Sequence, residues 1–71
     1  MTKYIVYAED ENSPGKLIQV KKMKREYEAL NFVGDIRNLQ KYGCMSMIMI
    51  DDDGKKHSWN NETSVWERVE E

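Results

Sequence analysis

Cysteine, proline and histidine each occur once in the 71-residue chain, as Cys44, Pro14 and His57. A single cysteine excludes an internal disulfide and any multi-cysteine metal site. The fold must then stand on packing alone, which fits a reducing compartment and predicts a cytoplasmic location. His57 has no Cys or His near it in sequence. Zinc held by His57 and Cys44 needs two further carboxylates, a poor match to the usual N/S-rich sites. Cys44 borders an apolar strand, where cysteine acts as a small hydrophobe. The four glycines stand singly at positions 15, 34, 43 and 54, so there is no glycine-rich phosphate loop. No apolar run approaches the ~18 residues of a membrane span, and the N-terminus lacks a signal-peptide pattern. Charge of one sign is also in short supply. Eleven Lys+Arg against thirteen Asp+Glu give a net charge of -2, which excludes a generic polycation and an acidic disordered tail. The carboxylates sit in turns and at a terminus, away from the burial that separates the pKa values of catalytic pairs. No catalytic residue, metal, cofactor or small-molecule substrate is expected.

What remains is a well-patterned small domain. Lys3 to Ala8 reads as a strand rich in strong β formers. Glu9 to Gly15 is a polar loop with the Pro14-Gly15 turn signal. Lys16 to Lys22 alternates, with Ile18 and Val20 on one face and Leu17, Gln19 and Lys21 on the other. Arg25 to Tyr42 changes period: Ala29, Phe32, Val33, Ile36 and Leu39 form one helical stripe, and Gly43 suits the C-cap. Cys44 to Ile50 is the most apolar run, with Met45, Met47 and Met49 on one face and Ser46, Ile48 and Ile50 on the other. Asp53-Gly54 is a hairpin turn pair leading to a strand from Lys55 to Trp59. After a turn at Asn60 to Glu62, Ser64 to Glu70 alternates as a last strand, with a short helix from Thr63 or Ser64 as the competitor. The expectation is one domain over residues 1–71. It is a two-layer α+β fold in the order β-β-α-β-β-β, an antiparallel or mixed sheet of about five short strands with one helix across one face.

Charge is segregated along the chain. Residues 16–25 carry +5, whereas residues 1–15, 26–42 and 43–71 carry -2, -1 and -4. The acidic candidates are Glu9, Asp10, Glu11, Asp51, Asp52 and Asp53, joined by Glu62, Glu67, Glu70 and Glu71. If the first and Met-rich strands run in the same direction, the two triplets project together. That cluster would attract a basic protein surface and speed association. Ordinary solvated turns are the simpler account of the same residues. An Asp triplet before Gly54 also invites calcium, but Met49 and Asn60 stand where an EF-hand loop needs its first and last ligands. The basic candidates are Lys16, Lys21, Lys22, Lys24 and Arg25. They suit a phosphate backbone, with Tyr4, Tyr7 or Trp59 stacking on bases if they face outward. Strand alternation sends Lys21 and Lys22 to opposite faces, and lysines also protect a solvated edge. The methionine face fits core packing, or an adaptable binding face. Trp59 and Trp66 form a binding patch if they lie opposite the helix, and are structural if they cap the core.

In its compact acidic α+β format and its blocks Glu9-Asp10-Glu11 and Asp51-Asp52-Asp53, the chain resembles small phage-encoded host-takeover proteins. Within that group it is most similar to DNA-mimic inhibitors of DNA-binding proteins. The resemblance implies a non-enzymatic inhibitor that presents an acidic surface to a basic nucleic-acid-binding host protein. A histone-like nucleoid protein is the first partner it suggests and RNA polymerase the second. The alternative is a small nucleic-acid-binding module using Lys16 to Arg25. A third reading is a domain that dimerises through an exposed sheet edge.

Overall fold

A computed structural model describes residues 1–69 of the chain. Five strands form one antiparallel sheet: β1 (Lys3–Asp10), β2 (Ser13–Met23), β3 (Met45–Ile50), β4 (Lys56–Asn60) and β5 (Val65–Arg68). Between β2 and β3 the chain forms two helices, α1 (Glu26–Gly34) and α2 (Ile36–Tyr42). The architecture is α+β, as the patterning predicts, with the spatial strand order β2-β1-β3-β4-β5. The segment after Thr63 is a strand, which settles the choice between strand and helix there.

Alternation assigns the two faces of the sheet. Tyr4, Val6 and Ala8 of β1 stand opposite Met49, Met47 and Met45 of β3, and this face carries the helices. Val6 and Ala29 are fully buried, and Met47 is nearly so. Burial of Val6 and Met47 stabilises the fold by about 1.5–3 kcal/mol each. The methionine face is therefore core. α1 packs over β1, β2 and β3. The far face of the sheet holds Lys3, Ile5 and Tyr7 of β1 beside Ile50, Ile48 and Ser46 of β3.

The single helix expected over Arg25 to Tyr42 is broken at Asp35. Its backbone there is extended, and its side chain accepts a hydrogen bond from the Arg37 amide as the N-cap of α2. Gly34 weakens the helix just before this competing cap. Beyond the break Ile36 and Leu39 are 68% and 42% exposed and drop out of the expected core stripe, while Tyr42 at the end of α2 packs on the core.

The first hairpin is also tighter than the expected seven-residue loop. β1 runs on to Asp10 and β2 begins at Ser13. Asp10 accepts from the Asn12 amide at 2.9 Å and Glu9 from the Gly15 amide at 3.0 Å, so the acidic side chains close the turn. The register jumps from Glu9 opposite Leu17 to Asp10 opposite Ser13. Gly15 takes a positive φ of 90° inside that irregularity, a conformation a side chain would oppose.

Candidate functional site

The acidic blocks are separated by the topology. The first ends β1 and the second follows β3, and those strands are antiparallel neighbours, with Ala8 opposite Met45 and Lys3 opposite Ile50. The condition for convergence is not met. Glu9, Asp10 and Glu11 lie at one end of the sheet and Asp51, Asp52 and Asp53 at the other, about 20–25 Å away at ~3.4 Å per residue.

Each block is also occupied by local bonding. Asp51 accepts from the amides of Asp53 and Lys55 at 2.9 Å and bonds His57 Nε2 at 2.9 Å. The His57 hydrogen bond, with the Lys55 and Asp53 amides, holds its carboxyl below the ordinary aspartate range. Asp52 meets the Met1 ammonium at 2.8 Å, which lowers its carboxyl in the same way. Glu67 accepts from the Asn60 side-chain amide at the β4–β5 connection. Glu62 donates its amide to Asn60 Oδ1 in the same turn. Glu70 and Glu71 lie outside the described residues.

The basic segment is gathered, with one exception. A bulge in β2 is the cause. Val6 pairs with Lys21 and the next residue, Tyr7, pairs with Gln19, so Val20 is the extra residue. Both Val20 and Lys21 then stand on the helix side, and the expected alternation fails at Lys21. Its Nζ lies 5.4 Å from the centroid of the Phe32 ring on α1. Lys22, opposite Ile5, takes the far face at the sheet margin. Met23 is buried and pins the strand end, so Lys24 and Arg25 lead into α1 beside it. Arg25 Nη1 donates to the Tyr27 hydroxyl at 3.0 Å.

Lys21, Lys22, Lys24 and Arg25 thus line one side of an open groove of about 740 Å³, and Asn31, Phe32 and Asn38 line the other. Two carboxylates also reach it, Glu28 and Asp35. Asp35 is engaged by Arg37, Nη2 to Oδ2 at 3.2 Å, and that hydrogen bonding holds its carboxyl below the ordinary range. The groove therefore keeps an excess of positive charge. Lys16 does not join it: five residues of strand place it about 17 Å from Lys21.

The aromatic candidates do not serve this groove as stacking platforms. Tyr4, Trp59 and Trp66 lie on the helix side and pack on the core, and Tyr7 stands on the far face opposite Ser46, outside the groove lining. Trp66 meets Trp59 edge-on at 5.1 Å and Tyr4 at 5.7 Å, and its indole N–H donates to Glu26 at 2.7 Å. Desolvation, then the Glu26 carboxylate, raises the Tyr4 hydroxyl above its ordinary value. The tryptophans are structural, closing the core edge and tying β5 to the first turn of α1. Asn31 and Asn38 are site residues that periodicity alone misses, because it treats them as the polar back of one straight helix. No helix among the described residues is long and apolar enough to cross a membrane. Comparison with protein-family models, curated proteins and solved structures gave no match to this chain.

Proposed function

We propose that this domain is a non-enzymatic, cytoplasmic nucleic-acid-binding module that grips the phosphate backbone with Lys21, Lys22, Lys24 and Arg25. The observation that carries this reading is the β2 bulge. It turns Lys21 to the helix side, where it lines one groove with Lys24 and Arg25, and Lys22 borders the groove from the sheet margin. Four cations at short spacing suit a duplex, which carries one phosphate charge per ~1.7 Å of axis. Of the candidate stacking aromatics, Tyr4 and Trp59 are packed on the core and Tyr7 stands on the far face of the sheet, outside the groove lining, so contact in the groove is to phosphate and binding is independent of sequence. The reading as an acidic inhibitor needs a joint acidic surface, and the two triplets stand at opposite ends of the sheet.

Electrophoretic shift of labelled duplex and single-stranded probes at low salt tests the proposal. A salt-sensitive shift is expected, stronger with duplex and lost in the combined variant Lys21→Gln, Lys22→Gln, Lys24→Gln. Absence of any shift with either probe sinks it.

A further inference from the structure

Among the described residues, β2 forms one margin of the sheet and is hydrogen-bonded on one side only, to β1. It is eleven residues long, whereas β5 at the other margin has four. A long edge is a template for another strand. The middle of β2 is also apolar and open: Leu17 is 57% and Ile18 49% exposed, one on each face. The two ends of this edge differ in charge. Glu9, Asp10 and Glu11 flank its start, and Lys21, Lys22, Lys24 and Arg25 its finish.

We propose that β2 pairs antiparallel with β2 of a second copy of this chain, about a two-fold axis at Ile18. Such an interface is isologous, so each contact occurs twice. It sets the acidic hairpin of each copy beside the basic end of the other. Ile18 meets Ile18 and Leu17 meets Gln19 at the centre. Other occupants fit worse. A uniformly acidic strand meets Glu9 to Glu11, and a uniformly basic one meets Lys21 to Arg25. A parallel second copy sets lysine beside lysine. Only a strand polarised like β2 satisfies both ends.

The dimer stands or falls independently of the proposed ligand, but one consequence rests on that reading. The cations neutralised by the second copy are those of the groove, so duplex and second copy compete for them.

Sedimentation velocity over a hundredfold concentration range, without nucleic acid, tests the dimer. A concentration-dependent dimer is expected, lost in Ile18→Lys, with circular dichroism confirming that the variant is folded. Glu11→Lys and Lys24→Glu should each weaken self-association roughly threefold to tenfold, the scale of exposed charge pairs. An equimolar mixture of the two should restore it, because the heterodimer has both charge contacts attractive. Duplex added in a second arm should shift dimer to monomer. A wild-type monomer at every concentration, a dimer unaffected by Ile18→Lys, or a mixture no tighter than its components overturns the dimer. A dimer indifferent to duplex overturns only the competition.

Discussion

Asp51 shows how much one carboxylate does in a small domain. It receives two amides of its own turn and the ring of His57 on β4, so it shapes the β3–β4 connection and anchors it to the sheet. These bonds favour the charged form and depress its folded pKa below the ordinary 3.8. The unfolded chain then binds the proton more readily. This contribution to stability is complete above that ordinary value and is lost as pH falls through the lower folded value. Thermal melts across acidic pH should therefore show a shallower acid limb for Asp51→Asn than for the wild type. Equal limbs would deny Asp51 this role. Met47 is the corresponding apolar case. It is 2% exposed on β3, beside Val6 of β1 on the face that carries α1. Met47→Ala should cost about 2–5 kcal/mol in urea unfolding, through lost burial and the cavity left behind. The Asp51 to Asp53 triplet was legible in the sequence as a turn, whereas Glu9 and Asp10, expected in a loop, end β1. The partners of both blocks were not legible, because hydrogen bonding to amides two to six residues away leaves no compositional trace.

Among the elements, strands were the most legible. Period-two alternation and turn residues located all five, and the Met45, Met47, Met49 face is the core face. Two local breaks of period escaped. In α1–α2, the stripe through Ile36 and Leu39 masked a stop signal, Gly34 followed by Asp35, which is a helix cap placed inside an otherwise periodic segment. Asp35→Ala should remove the cap and the Arg37 contact, lowering both helical circular dichroism and the melting temperature. A variant with unchanged melting would show that α2 holds without its cap. In β2 the extra residue at Val20 inverts the face expected for Lys21. A bulge depends on what the neighbouring strand pairs with, and β1 carries no mark of it. The most consequential feature of the candidate site was therefore the least visible.

At the scale of the whole molecule, the net charge of -2 conceals a polarised surface. Antiparallel pairing of β1 with β3 sends the acidic triplets to opposite ends of the sheet, and the β2 bulge turns Lys21 toward the groove that Lys22, Lys24 and Arg25 also line. Segregation was evident from the sequence, but which charges would act together depended on strand direction. The direct test is the salt dependence of duplex binding, followed by fluorescence anisotropy. If Lys21, Lys22, Lys24 and Arg25 each neutralise one phosphate, log affinity against log salt should fall with a slope of about -3.6. Replacing Lys21, Lys22 and Lys24 by Gln should bring the slope to about -1, whereas Glu11→Gln should leave it near the wild-type value. No binding at low salt, or a wild-type slope in the triple variant, would contradict the assignment of the groove as the working surface.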